Sequence, residues 1–241
     1  MRALIGYTGF VGSTILNQAG GYFTHQFNSM NIDLIRDKSF STVVCAGAPG
    51  QKWLANKEPV KDAASIAKLM DCLSTVKAER FILISTVDVY SNPYNVDENT
   101  EIDLDSLHAY GMNRYILETF VRGRFENASI FRLPGLVGKG LRKNIIYDLK
   151  HDNNIDTING SNVYQFYPMK NIWRDITVNS GIINLSSEPI TAKEVAFLFN
   201  KEVPMLDKVA DYNMLSVRGY NKNYWYSKSE VIAAIEEYKN L

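Results

Sequence analysis

The chain has 241 residues, 46% of them hydrophobic, which suits one large domain or one domain with a smaller lobe and leaves two independent domains cramped. Its 26 basic and 26 acidic residues cancel, excluding the overall field that draws nucleic acid or an anionic membrane. Two cysteines and three histidines without metal-site spacing argue against a metal centre, and Cys45 and Cys72 sit in apolar segments where free thiols act as small hydrophobes.

A short apolar strand, Ala3 to Ile5, opens the chain and runs straight into a glycine turn. That start leaves no room for the basic region and apolar stretch of a signal peptide, so the expected location is cytoplasmic. No uncharged apolar run approaches the ~20 residues needed to cross a bilayer, so no membrane partner is expected. Further strands are predicted at Tyr22 to Phe27, Thr42 to Ala46, Phe81 to Ser85 and Ser129 to Arg132. Helices are predicted over Val11 to Gln18, Pro59 to Val76 and Tyr110 to Phe125. Ile66, Leu69, Met70 and Leu73 recur at helical spacing and should face a sheet. This alternation implies βαβ units around a parallel sheet, an α/β fold.

After Pro134 the texture becomes basic, Asn-rich and aromatic, as expected of a smaller lobe. Residues 1–133 are therefore read as a dinucleotide-binding domain, completed by a returning strand and helix at about 176–200. The rest of 134–241 is read mainly as a small substrate-binding lobe. The return consists of a strand at Ile182 to Leu185 and a helix at Thr191 to Phe199. Ser227 and Glu230 have the spacing of a capping box ahead of a last helix.

Gly6-Tyr7-Thr8-Gly9-Phe10-Val11-Gly12 lies between the first strand and the first helix. Glycines there allow a tight turn and close approach of backbone to a pyrophosphate, and the helix N-terminus offers unpaired amides and a favourable dipole. Gly6, Thr8, Gly9, Phe10, Val11 and Gly12 are the candidate cofactor contacts. An acidic residue that would mark NAD at the end of the second strand is absent; Asn28 and Ser29 stand there. Losing that carboxylate removes the repulsion against a ribose phosphate, so NADP is favoured over NAD, unless Asn28 and Ser29 simply form the next turn.

Ser85-Thr86-Val87-Asp88-Val89-Tyr90 follows a strongly apolar strand, and Tyr110-Gly111-Met112-Asn113-Arg114 follows an acidic loop. Further on stand Ala46-Gly47-Ala48, Arg132-Leu133-Pro134-Gly135-Leu136-Val137-Gly138 and Ile183-Asn184-Leu185. In this order the segments resemble the extended short-chain dehydrogenase/reductases, the epimerase/dehydratase group that acts on nucleotide-linked sugars. The resemblance implies a Rossmann-type doubly wound parallel sheet with a small C-terminal substrate-binding lobe, a nicotinamide cofactor lying along Ala46, Gly47, Ala48 and Pro134, and often a dimer paired through the two long helices.

By the same resemblance, Tyr110 exchanges a proton with the substrate oxygen while Thr86 holds that oxygen. A phenol of pKa ~10 is a poor base near neutrality without a neighbouring cation. The family places lysine one helical turn after the tyrosine; this chain has Arg114, which keeps the charge but cannot relay a proton. Arg114 is also read as able to form a surface pair with Glu118. Dehydratases of the group carry Asp-Glu after the threonine, whereas this chain has Val87 and Asp88, so reduction or epimerisation of a nucleotide-linked keto-sugar fits better than dehydration. Asp88, Gly135, Lys143, Asn144 and Arg174 are the candidate substrate contacts, Gly135 replacing an Asn common in relatives. A rival from another class is a non-catalytic NAD(P)-binding sensor or scaffold, which Arg114 and Gly135 favour and retention of Thr86 and Tyr110 disfavours.

Overall fold

The computed structural model describes residues 1–221 and 223–241. In chain order its elements are β1 (Arg2–Ile5), α1 (Phe10–Gln18), β2 (His25–Phe27), β3 (Ser39–Cys45), α2 (Lys52–Lys57), α3 (Pro59–Leu73) and β4 (Lys77–Thr86). There follow β5 (Tyr94–Val96), α4 (Ala109–Arg124), β6 (Ala128–Leu133), β7 (Gly135–Val137), α5 (Ile145–Lys150), β8 (Val163–Tyr164), β9 (Phe166–Pro168) and α6 (Ile172–Val178). The chain closes with β10 (Ile182–Asn184), β11 (Ile190–Thr191), α7 (Ala192–Leu198), β12 (Asn213–Met214) and α8 (Lys228–Lys239).

Two compact units result. The first comprises Met1–Ser91, Glu101–Arg132 and Lys170–Ile183; the second comprises Asn92–Thr100, Leu133–Met169 and Asn184–Leu241. Of the segment at about 176–200 expected to complete the first domain, only the part up to Ile183 lies in the first unit, which takes in 170–183; 184–200, with α7, and 92–100 lie in the second.

A six-stranded parallel sheet of order β10-β6-β4-β3-β1-β2 organises the first unit. Strand order reverses between β1 and β3, which pair in parallel with Ile5 opposite Cys45, so the loops after these strands open at the same edge. One face is sealed by α3 and α4, whose Ile66, Leu69, Leu73, Leu117 and Val121 join Val43, Phe81 and Leu83 in a continuous core. Met70 of the predicted apolar face is only partly buried against it. Phe125, just past α4, stacks on Phe81 at 4.2 Å between ring centroids. Each large apolar side chain so buried contributes about 1.5–3 kcal/mol. Cys45 and Cys72 are buried free thiols in this core, and burial pushes the Cys45 thiol up to about 11.

Several boundaries differ from the sequence expectation: β3 starts at Ser39, three residues before Thr42, and α3 stops at Leu73 rather than Val76. β2 starts at His25 rather than Tyr22, because Tyr22 packs tilted and Phe23 edge-on against Trp173 of α6 instead of entering the ladder. β4 starts four residues before Phe81, its polar first half pairing with β3 from Ser39 opposite Lys77.

The second unit has no large sheet among its described residues. Its strands pair two by two: β7 with β9, β8 with β11 and β5 with β12. Both α7 and α8 begin with complete capping boxes, Thr191 with Glu194 and Ser227 with Glu230. Buried amides fasten the irregular stretches between these elements. Gln165 donates to the carbonyls of Ser187 and Met214 and accepts from Met214 N at 2.7 Å. Asn162 Oδ1 accepts from the backbone of Val209 and Ala210, and Asn159 holds Leu206 and Asp207 in the same manner.

Among the described residues no group of His, Cys, Asp or Glu could hold a metal ion, and no helix is long and apolar enough to cross a membrane.

Candidate active site

Three glycines shape the turn after β1, each for a different reason. Gly6 has φ +84°, and a Cβ there would lie 2.3 Å from the Ala46 carbonyl oxygen, where the loop after β3 crosses. Gly12 would drive a Cβ to 2.1 Å from Gly6 O, so helix α1 starts directly on the turn. Gly9, the N-cap of α1, is exposed, and its imagined Cβ meets only Gly6 O at ordinary van der Waals distance, 3.4 Å. Packing requires the first two to be bare. Gly9 is bare toward solvent, where the amides of α1 begin, so the residues present fit a pyrophosphate cradle. Thr8 is exposed beside it, while Phe10 and Val11 form the first turn of the helix.

Asn28 is buried at the end of β2 and folds into its own turn. Its Oδ1 accepts from Met30 N at 2.9 Å, its Nδ2 donates to the Tyr7 hydroxyl at 3.3 Å, and its backbone N–H donates to Asn31 Oδ1. Ser29 is exposed. Gly47 lies so close to β1 that a Cβ would meet Ile5 at 2.8 Å, which binds the Ala46-Gly47-Ala48 loop to the glycine turn.

At the end of β4, Thr86 is engaged on every side. Its hydroxyl donates to Asp88 Oδ2 at 3.2 Å, accepts from Asp88 N at 3.2 Å, and hydrogen-bonds the Tyr110 side chain. Gly111 makes this meeting possible: a Cβ at that position would lie 2.1 Å from the Asp88 carbonyl, so the first turn of α4 rests directly on the chain after Thr86. The Tyr110 amide is held by Asn56 Oδ1 at 3.0 Å, and His108 Nδ1 caps the helix by accepting from Gly111 N. Tyr110 is buried, and burial pushes its hydroxyl above the usual phenol range; nearby Arg114 pulls it down and Asp88 pushes it further up.

Arg114 does not pair with Glu118. It is 3% exposed and forms a bidentate ion pair with Asp62 of α3, while its remaining terminal N–H groups reach the carbonyls of Pro49 and Tyr110. The guanidinium lies over the Tyr110 ring, 3.9 Å from its centroid. Asn113 completes the Asp62 carboxylate with a 2.7 Å bond. Glu118 points elsewhere: it accepts from Ser85 Oγ at 2.5 Å and from Arg132 at 2.7 Å, and Arg132 also donates to the Tyr90 hydroxyl. The surface pair expected for Arg114 is thus replaced by two separate buried networks, because consecutive turns of α4 face different elements.

Asp88, a candidate substrate contact, is largely buried. Its Oδ1 takes Lys52 Nζ of α2 at 2.5 Å, with His108 Nε2 3.9 Å away. Burial and the Lys52 charge hold the His108 imidazole below its ordinary value, so it is neutral near pH 7. Lys52, Asn56, Asp62 and Gly111 were missed by sequence reasoning. Only Gly111 carried a signal, a glycine inside a helical run that costs about 1 kcal/mol against alanine and so asks for a packing reason.

The other candidates belong to the second unit or to other surroundings. Pro134 is buried there, and Gly135 sits where a Cβ would lie 2.8 Å from Gln165 O and the Phe166 ring, so the β7–β9 pairing excludes the Asn of relatives. Asn144 caps α5, accepting from Ile146 N and Tyr147 N and donating to Leu136 O, which occupies the side chain proposed for substrate. Lys143 beside it is exposed. Arg174 lies on α6 in the first unit, largely exposed, and pairs with Asp175 at 2.8 Å.

No family model matches the chain, and no curated protein matches it in sequence. Solved structures match it over almost its whole length. A UDP-glucose 4-epimerase from Thermotoga maritima, solved with UDP-glucose, is 14% identical with a TM-score of 0.76, covering 100% of this chain and 98% of its own. A dTDP-4-dehydrorhamnose reductase from Clostridium acetobutylicum is 15% identical, TM-score 0.73, over 100% of this chain and 99% of its own. The Bordetella bronchiseptica enzyme WbmG, solved with NAD, is 16% identical, TM-score 0.75, over 99% and 92%. The chain therefore has a Rossmann-like fold like that of these epimerases and reductases.

Proposed function

We infer that this chain is an NAD(P)-dependent reductase or epimerase of a nucleotide-linked keto-sugar, with Tyr110 as acid/base and Thr86 as the second donor to the reacting oxygen. The observation that carries this reading is the Thr86–Tyr110 hydrogen bond at the carboxyl end of β4. β4 is two strands from the glycine turn after β1, about 10 Å at ordinary strand spacing. Ligands of open α/β sheets bind along this edge. Gly6, Thr8, Gly9, Phe10, Val11 and Gly12 would hold the pyrophosphate of the dinucleotide, with Ala46, Gly47 and Ala48 beside it. Bound there, the nicotinamide supplies the hydride chemistry.

The protein's own residues then do the following. Thr86 and Tyr110 direct two hydroxyls at one substrate oxygen, and Tyr110 gives or takes the proton at its phenolic oxygen. NADP remains the preferred cofactor for want of a carboxylate at the end of β2, although the Asn28 amide is already engaged with Tyr7 and exposed Ser29 is the free hydroxyl. Support for the substrate class is the likeness of fold to epimerases and reductases that act on nucleotide-linked sugars. Arg174 is the weakest candidate, being paired with Asp175.

The test is calorimetric titration with NADPH and NADH, followed by their oxidation when 4-keto-sugar nucleotides are supplied. Tyr110→Phe should abolish turnover and leave dinucleotide affinity within about twofold, as expected of a group that acts only in the transition state. Unchanged turnover rejects the assignment. Binding without oxidation of any substrate favours the sensor reading, for which the engagement of Arg114 with Asp62 and Pro49 is the supporting observation.

A further inference from the structure

A tyrosine acid/base needs a cation close by and a route that returns its proton; Arg114 lends charge but cannot relay a proton. All four terminal N–H positions of Arg114 are occupied, by the two oxygens of Asp62 and by the carbonyls of Pro49 and Tyr110. Its guanidinium lies against the face of the Tyr110 ring. A second cation is connected to the hydroxyl itself. From Lys52 Nζ, hydrogen bonds run 2.5 Å to Asp88 Oδ1, then from Asp88 Oδ2 3.2 Å to Thr86 Oγ1, and from Thr86 to Tyr110. The Lys52 side chain is 39% exposed, so its ammonium exchanges protons with water, whereas Tyr110 is buried.

We propose that Lys52, from helix α2, takes the place of the lysine that follows the tyrosine in the relatives: it supplies positive charge to the Thr86–Tyr110 pair and, through Asp88, replaces the proton that Tyr110 gives away. The inference rests on the acid/base reading of Tyr110. In the reducing direction the Tyr110 O–H bond breaks and an O–H bond forms on the substrate oxygen, the hydride at carbon coming from a reduced nicotinamide dinucleotide. As the phenolate takes the Thr86 hydroxyl proton, Lys52 Nζ gives a proton to the Asp88 carboxylate, which passes it to Thr86 Oγ1, and the amine regains the proton that the reduction consumes from the solvent. Each group ends as it began. Lys52 is a positioning residue in this scheme, since it reaches the reacting atoms only through Asp88 and Thr86.

The charged and titratable groups facing the pair are Lys52, Asp88, His108, Arg114 and, behind Arg114, Asp62. His108 accepts from Gly111 through Nδ1 and is neutral, so it directs an N–H toward Asp88 without adding charge.

The test uses cofactor-free protein carrying 3,5-difluorotyrosine at position 110, whose ionisation falls near neutrality and is followed by its fluorine resonance. Lys52→Met should raise the midpoint by roughly half a pH unit or more, the effect of withdrawing a nearby cation. Lys52→Arg should stay close to wild type, and Asp88→Asn should move the midpoint down. A midpoint unmoved or lowered in Lys52→Met overturns the proposal, as does a rise in Asp88→Asn. In turnover, Lys52→Met should be at least tenfold slower and partly restored by millimolar methylamine; full activity in Lys52→Met overturns it equally. Failure of the underlying function shows separately, as wild-type protein that binds neither NADH nor NADPH, while the fluorine titration still reads the Lys52 effect.

Discussion

The two units solve the same problem with different chemistry. In the first, backbone groups pair in a six-stranded ladder, and the guanidinium groups that go inside each do so with a buried carboxylate, Arg114 with Asp62 and Arg132 with Glu118. In the second, strands of two or three residues leave much backbone unpaired, and neutral amides stand in: Gln165, Asn159 and Asn162 each hold several main-chain groups. A regular ladder lets chemistry be mounted at strand ends. An amide-fastened unit can instead follow an irregular path at the cost of burying donors and acceptors that must all find partners.

This contrast sets the order of expected damage. Glu118→Ala should be the most harmful change, because it leaves the Arg132 guanidinium buried and uncompensated, at about 3–5 kcal/mol. A denaturant titration checks it, and a loss below 1 kcal/mol would break the distinction drawn here. Asp62→Ala should follow at a similar level and should also free Arg114; Arg114→Lys, which cannot span Asp62 and Pro49 together, should destabilise as well as slow any turnover. In the second unit, Gln165→Leu strands the Met214 amide and two carbonyls and should cost about 1–3 kcal/mol. Hydrogen exchange should then rise at Met214 before it rises in β3 or β4. Asn162→Ala should cost roughly 1 kcal/mol, with faster exchange confined to Val209 and Ala210. The smallest effect concerns Cys45, whose thiol at about 11 and complete burial should make it inert to iodoacetamide at pH 8 until the sheet opens. Alkylation at the rate of a free thiol would mean that the first unit is looser than its core implies.

Much of the first unit was legible because its signals are periodic. Ile66, Leu69 and Leu73 announced the buried face of α3, and the apolar run at Phe81 announced β4, although the polar half of that strand gave no hydrophobic cue. Glycine spacing pointed to the turn, yet only the geometry separates Gly6 and Gly12, which packing requires, from Gly9, which it does not. In the second unit the two capping boxes were readable from local spacing. The anchoring role of Gln165, Asn159 and Asn162 was not, since a buried amide and an exposed one look alike in sequence. At the site, Thr86 and Tyr110 came from motif, whereas Lys52 and Asp62 lie on other helices and become neighbours only through the βαβ winding. The alternative pairing of Arg114 with Glu118 failed because spacing of four residues describes adjacency along a helix, not which neighbouring element each side chain meets.

The engagement of Arg114 also bears on how related sequences should be read. An arginine fixed by a buried carboxylate is half of a lock whose other half sits on the preceding long helix. Chains that carry arginine four places after this tyrosine should therefore retain an acid where Asp62 stands and a lysine near position 52. Those reverting to lysine after the tyrosine should be free to lose both, so that a survey of such triplets would sort the lineage into two wiring schemes without a single assay.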